Sequence, residues 1–330
     1  MQDYPLVSVI VLNYNGLKYL GEGLKECLDS VFRTDYPNLE VIFVDNGSED
    51  ASVDFVRENF EEATIRVLEN ESNLGFSEGF NRGVKASKGK YLALLSNDMT
   101  VDPKWLDPII KLMESEPKIG LAGFKRLIYG TKNRIDGVGG DLFLCGRARP
   151  VGTYETDRGQ YNTIKEDLDY IGGAMVLRRK ILREVGLFDP DYFIFYEDVD
   201  LCYRIRKHGY KTIYVPDAII YHRGQTTLKG MDPKGQHTEY MAHRSRIRCI
   251  LIHFTLMRLL SAFTIDLASL FLVANPTTRK LLLKAYLSHL KSLGPTLTRR
   301  RRYGPSPPFG CKFPVIARRQ NFPTETPENP

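Results

Sequence analysis

Three polar segments each follow an apolar run in the first hundred residues: Asn13-Tyr14-Asn15-Gly16, Asp45-Asn46-Gly47-Ser48 and Ser96-Asn97-Asp98. Each carries groups that can grip a polar ligand, and each is also turn-prone. A fourth segment is acidic. Tyr196-Glu197-Asp198-Val199-Asp200-Leu201 follows the aromatic stretch Tyr192-Phe193-Ile194-Phe195 and opens an amphipathic segment ending at His208-Gly209-Tyr210. Carboxylates at a helix start can simply meet the positive end of the helix dipole. Set against aromatic surface, they can also lose solvation and act as acid or base. The run alone leaves both readings open.

The elements that must position these groups alternate. Leu6–Leu12 is a continuous apolar, β-branched run, as a strand buried on both faces should be. Val41–Val44, Ile65–Leu68, Tyr91–Leu95 and Ile119–Ala122 read as further strands. Leu17–Phe32, Ser52–Phe60, Phe76–Ala86 and Pro103–Met113 read as the helices between them. Short connections between alternating strands and helices imply a parallel, doubly wound sheet. Ligands bind such sheets beyond the carboxyl ends of the strands, where the three polar segments fall. Residues 123–170 are irregular. Ala174–Leu177, Thr212–Val215 and Ala218–Tyr221 read as later strands, with a short helix near Lys180–Val185. Gly224–Gln236 has no periodicity and is expected to be a mobile loop.

Charge is unevenly distributed. Residues 241–330 hold 15 Lys+Arg against 3 Asp+Glu, whereas residues 1–240 hold 31 against 37. A basic tail on an acidic body suggests an anionic partner for the tail. The acidic body argues against an extended nucleic-acid track, although Arg299–Arg302 motivates that alternative. Ile250–Ala274 is long enough to span a bilayer, but Arg258 and Asp266 would be costly at depth. Helices packed on the domain or lying in a membrane interface are expected instead. Five scattered cysteines without a CxxC pair argue against a disulfide framework or zinc cluster and suit a reducing compartment. The start of the chain shows no signal-peptide pattern. The expected location is cytoplasmic, with peripheral contact to the inner face of the membrane.

Gly75, Gly79 and Gly83 recur every four residues, which is not the GxGxxG dinucleotide fingerprint and disfavours a dehydrogenase. The spacing suits either close helix packing or a ligand-facing loop that feeds a helix. Asp45 closes an apolar strand as either a carboxylate that accepts a ligand N–H or the turn-former before Gly47. His222 closes a strand as either a ligand or a structural histidine. Arg204 and Arg206 offset the acidic run, face a phosphate, or lie on a solvated face. The solvated face is the default, and Asp200 reads as a helix-start residue.

Taken in order, Ser8–Asn15, Val44–Asp50, Asn73–Phe76 with Gly79-Phe80-Asn81, Leu94–Asp98, Gly172-Gly173-Ala174 and Glu197–Leu201 resemble a family 2 glycosyltransferase with the GT-A fold. The rhamnosyltransferase-like group is the most similar. The resemblance covers about residues 6–225. It implies a mostly parallel mixed sheet flanked by helices, with a C-terminal helical extension. Residues 1–239 would be the catalytic domain, 240–303 a basic amphipathic extension and 304–330 a disordered tail. It implies donor contacts at Leu12, Asn13, Tyr14, Asp45, Asn46, Gly75, Asn81, Asn97 and Asp98, and an acceptor side at Gly172 and Gly173. It further implies Asp198 as general base supported by Glu197, with Mg2+ or Mn2+ at Asp98 and His222. The family's DxD motif aligns with Ser96-Asn97-Asp98, so its first acidic position is a serine here, which puts metal affinity in question. The implied reaction is inverting transfer from a nucleoside-diphosphate sugar to a glycan or lipid-linked acceptor, with an anionic membrane surface, and no nucleic acid, as a further partner. Ser96 motivates the alternative of a nucleotide-sugar-binding protein with impaired catalysis.

Overall fold

The computed structural model describes residues 4–60, 64–166, 168–224, 226–272 and 275–304. From residue 305 the expected disordered tail, with Cys311, lies outside the described residues. β1 (Val7–Asn13), β2 (Leu39–Asp45), β3 (Ile65–Glu69) and β4 (Tyr91–Ser96) form a parallel block ordered β3-β2-β1-β4. They are joined by α1 (Gly16–Leu20), α2 (Gly23–Phe32), α3 (Ser52–Asn59) and α4 (Gly75–Ala86). All of β1 is buried, and its alternate side chains feed two layers. Val9 and Val11 join the core formed with Leu24, Leu28 and Val31 of α2. Ile10 and Leu12 join the core formed with Phe80 and Val84 of α4.

β5 (Met99–Val101), α5 (Asp107–Ser115), β6 (Ile119–Ile128), β7 (Ile135–Gly137), β8 (Gly140–Leu142), β9 (Ala148–Pro150), β10 (Met175–Arg178), α6 (Leu182–Val185), α7 (Glu197–Lys207) and β11 (Lys211–His222) follow. The sheet continues from β4 through β10, β6, β11 and β5. β10 runs antiparallel to both β4 and β6, with Met175 opposite Leu94. β11 runs parallel to β6 and ends with His222 opposite Met99. The carboxyl ends of β1, β2, β4 and β11 and the start of β10 therefore share one edge. The sheet is mixed rather than wholly parallel, because β10, β5 and β7 run against their neighbours.

Several boundaries differ from the sequence expectation. Gly21 adopts φ +56°, so the expected helix 17–32 is two helices. Asp102 turns the chain at Lys104 and Trp105, so α5 starts only at Asp107. Thr212–Val215 and Ala218–Tyr221 are one strand with a shift in pairing between Val215 and Ile219. The expected mobile loop contains a helix, α8 (Thr226–Met231), which packs on α1; a Cβ on Gly230 would fall 2.4 Å from the Tyr19 ring.

α9 (Gln236–His253), α10 (Leu256–Leu272), α11 (Pro276–Lys291) and α12 (Leu293–Tyr303) complete the described chain, and the boundary expected after residue 239 falls inside α9. These helices are held by buried charge. Arg248 donates to Asp189 at 2.7 Å, Arg299 pairs with the same carboxylate at 3.0 Å, and Arg246 meets Asp266. His253 meets Asp200 at 2.8 Å, and Arg204 pairs with Asp200 at 2.7 Å. Arg204 is thus buried rather than solvated, and Asp200 is a buried ion-pair partner, not a plain helix-start residue. Removing one member of a buried pair costs about 3–5 kcal/mol. Asp189→Ala leaves Arg248 only the half-exposed Asp191 carboxylate and the Thr296 hydroxyl and is expected to lower the unfolding free energy by up to about that amount; an unchanged urea midpoint would show that the pair contributes nothing.

Candidate active site

A belt of side chains ties the three strand ends together. Asn13, closing β1, donates to Asp45 Oδ1 at 2.8 Å and accepts from Asn97 at 2.7 Å. Asp45, closing β2, also accepts from the Ser48 hydroxyl at 2.6 Å and the Ser48 amide at 2.8 Å. Its turn-forming role is therefore realised, and Oδ2 keeps capacity for another donor. Asn15, at φ +49°, accepts from Glu49 N. Tyr14 lies half-buried beside it. Asn97 N donates to Leu12 O at 3.1 Å, closing the belt over β1 and β4.

Asn46 bonds Asn73, Gly75 O, Asn70 and Leu74 N, so it staples the loop leading into α4. Gly75 itself sits at φ +78°, against Phe193 O. Gly79 and Gly83 let α4 ride on β1: added Cβ atoms would lie 2.6 Å from Leu12 and 2.4 Å from Ile10. Asn81 points elsewhere. Its amide donates to Phe188 O and accepts from Phe188 N, both at 3.0 Å, holding the segment before α7.

Asp98 follows β4 and is buried; its Oδ1 has no hydrogen-bond partner, and its Oδ2 is 3.3 Å from His222 Nε2. His222 Nδ1 meets Asp136 Oδ2 at 3.1 Å. Burial disfavours the imidazolium, but the bonds to Asp136 and Asp98 outweigh it and lift His222 to about 9. Burial likewise opposes ionisation of Asp136, yet Arg126 and His222 bring it down to about 2. The orphaned carboxylate oxygen fits a hard divalent cation, and His222 could join it only by giving up its proton. Among the described residues no cluster of three or more His, Cys, Asp or Glu side chains could hold one alone. Further ligands would therefore have to come from substrate oxygens or water.

The segment that enters α7 is built around a backbone kink. Phe195 and Tyr196 have φ of 67° and 64°, a left-handed conformation costing about 1–2 kcal/mol per non-glycine residue. The Tyr196 hydroxyl holds the kink, donating to Gly146 O at 2.9 Å and accepting from Ala148 N at 3.0 Å. α7 then starts with Glu197, which is buried, and Asp198, which is only partly so. Burial, reinforced by the neighbouring Asp198 charge, pushes Glu197 well above the usual carboxylate range. Burial also raises Asp198 to about 6, against the stabilising Val199 N–H and the charge of Arg126. Burial therefore biases Glu197 toward its neutral form more strongly than Asp198. Gly172 and Gly173 precede β10 beside them. A Cβ on Gly172 would fall 2.0 Å from Asp198 Oδ2, and Gly173, at φ +82°, abuts Arg126.

The irregular stretch 123–170 thus supplies two site residues without a sequence signal, Arg126 and Asp136. Arg126 Nε donates to Asp136 at 3.0 Å and its Nη1 donates to Gly172 O. Contacts therefore run unbroken from Asp98 through His222, Asp136, Arg126 and Gly172 to Asp198. No residue spacing announces this, because it depends on β6 pairing with β7.

A mixed sheet with polar strand ends, an aspartate after its fourth strand and a carboxylate pair entering a late helix defines a GT-A fold. The chain belongs to glycosyl transferase family 2, whose family model matches residues 8–186. Glu197, Asp198 and His222 lie beyond that match. Over 231 residues, 67% of this chain, it is 30% identical to an uncharacterised protein of Sinorhizobium fredii, of whose length it spans only 25%. Over 251 residues, 69% of this chain and 79% of the relative, it is 25% identical to the N-acetylglucosaminyl-diphospho-decaprenol L-rhamnosyltransferase of Mycobacterium tuberculosis. A mannosyltransferase of Pyrobaculum calidifontis, solved in complex with GDP-Man and Mn2+, shares the fold with TM-score 0.55 at 18% identity, over 92% of this chain and 83% of that one.

Proposed function

We propose that this chain is an inverting glycosyltransferase that moves a sugar from a nucleoside diphosphate to a hydroxyl of a glycan or lipid-linked acceptor. The observation that carries this reading is the continuous chain of contacts between Asp98 and Asp198, which joins a diphosphate-side carboxylate to a base. Asp45 and Tyr14 bind the nucleoside base, with Leu12, Asn13 and Asn97 forming the floor. Asn46, Gly75 and Asn81 hold the loops that enclose the donor. The acceptor hydroxyl attacks the anomeric carbon as the bond to the diphosphate breaks, and its proton passes to Asp198. General-base catalysis of this kind contributes about 10²–10⁴-fold. Glu197, protonated, adds no second negative charge beside the base. Asp98 and His222 would hold Mg2+ or Mn2+, which when bound neutralises charge on the departing diphosphate. A rhamnosyl donor is supported by the name of the mycobacterial relative.

The same reading takes residues 1–239 as the catalytic body and 240–303 as an extension that rests on an anionic membrane surface. Among the described residues no helix is long and apolar enough to cross a membrane. α10 instead buries Arg258, Leu259, Ala262 and Asp266 and exposes Leu256, Leu260, Phe263, Leu267 and Phe271 as one helical stripe. Leu260 is 55% exposed and Phe271 74%. Phe263 contacts Tyr286 of α11, where Leu283, Leu287 and Leu290 are also exposed. Asp266 is the single acidic residue between 256 and 304, and it is buried, while Arg279, Lys280, Lys284 and Lys291 are exposed. An apolar stripe rimmed by cations suits an anionic lipid interface and a lipid-linked acceptor.

A donor panel scored by nucleoside diphosphate release tests the reaction. Turnover is expected to rise with pH through about 6, as Asp198 loses its proton, and Asp198→Asn is expected to bind donor but lose at least about 10²-fold in transfer; near-normal turnover overturns the base. Asp98→Ala is expected to weaken Mn2+ binding followed by paramagnetic resonance, and an unchanged titration removes Asp98 from the metal site. Vesicles containing phosphatidylglycerol should bind the protein at low salt. The Leu260→Glu, Leu267→Glu double variant should lose at least about tenfold in that affinity; equal binding by both proteins, or by neither, removes the lipid face.

A further inference from the structure

The side chain of Arg126 reaches both halves of the site. Its guanidinium is largely buried on β6 and presents two edges. Nε faces Asp136, whose same oxygen receives His222, and Nη1 faces the Gly172 carbonyl. The two glycines are shaped to this arrangement. A Cβ on Gly173 would fall 2.4 Å from Arg126 Nη1, and one on Gly172 would strike Asp198. Guanidinium, peptide and carboxylate are thus stacked without spare volume.

We infer that Arg126 is a positioning residue that sets both the place and the charge state of Asp198, resting on the reading of Asp198 as the base. Burial favours the neutral form of Asp198. Glu197 and Asp200 share its helix, Tyr170 faces it from the segment before β10, and the buried thiols of Cys202 and Cys249 lie nearby. The Val199 N–H and the charge of Arg126 oppose the burial. A planar fork can bond Asp136 and Gly172 at once, whereas a lysine ammonium supplies charge without that geometry. The two functions of Arg126 are therefore separable by substitution.

The arm of the test that reads charge needs no identified substrate. Carbodiimide-driven labelling of Asp198 with glycine ethyl ester, read by peptide mass spectrometry across pH, reports its protonation, with Asp198→Asn as the blank. The wild-type midpoint is expected near pH 6. Arg126→Met should raise it by about one pH unit or more. Arg126→Gln, which keeps a donor for Gly172, should do the same and serves if the methionine variant unfolds. Arg126→Lys should keep a near-wild-type midpoint but turn over donor and acceptor at least about tenfold more slowly. Neutral variants that titrate like wild type overturn the inference, as does a lysine variant with full turnover. Normal transfer by Asp198→Asn instead overturns the base reading itself, so the two failures are distinct.

Discussion

One reversed strand makes this site. β4 and β6 run the same way and cannot meet directly, because β10 lies between them and satisfies the backbone groups of both. Running against its neighbours, β10 begins at the edge where they end. Gly172 and Gly173 are thereby delivered to the side of the sheet that already holds Asn97 and Asp98. Had the strand been parallel, that glycine pair would sit at the opposite edge, and Asp198 would have no partner across the cleft.

Charge imposes the second constraint. Glu197 and Asp198 are adjacent, and burial of the first makes two negative charges there too costly. The dipole at the start of α7 favours carboxylates, yet it does not offset the burial of Glu197. Asp200, three residues on, is held ionised by Arg204 and His253 despite deeper burial. Three acidic side chains within four residues are thus shifted differently, by burial and by which cation reaches each. Arg126 serves Asp198, Arg204 serves Asp200, and no cation contacts Glu197 among the described contacts.

The strand ends were legible because strands buried on both faces read as continuous apolar runs, so polar residues closing them stand out. Asn13, Asp45, Asn97 and Asp98 were found in this way; the first three meet, and Asp98 faces His222 instead. Residues whose role depends on distant chain were not legible. Arg204 looked solvated because the elements that cover it, α9 and the end of α12, lie far along the sequence. Tyr303 stacks over its guanidinium, and His253 shares its carboxylate. Arg126 and Asp136 sit in a stretch without periodicity, and only the β6–β7 pairing brings them together. Asn81 was legible as important but not in its target, since Phe188 lies more than a hundred residues away.

His253 closes α9 and meets Asp200 one turn into α7, while its ring stacks on Tyr203 with centroids 5.1 Å apart. The helix that carries Asp198 is thereby bolted to the helix that leads into the exposed apolar stripe. The path from the stripe of α10 to Asp198 is therefore short, running through one imidazole, one carboxylate and a single helical turn.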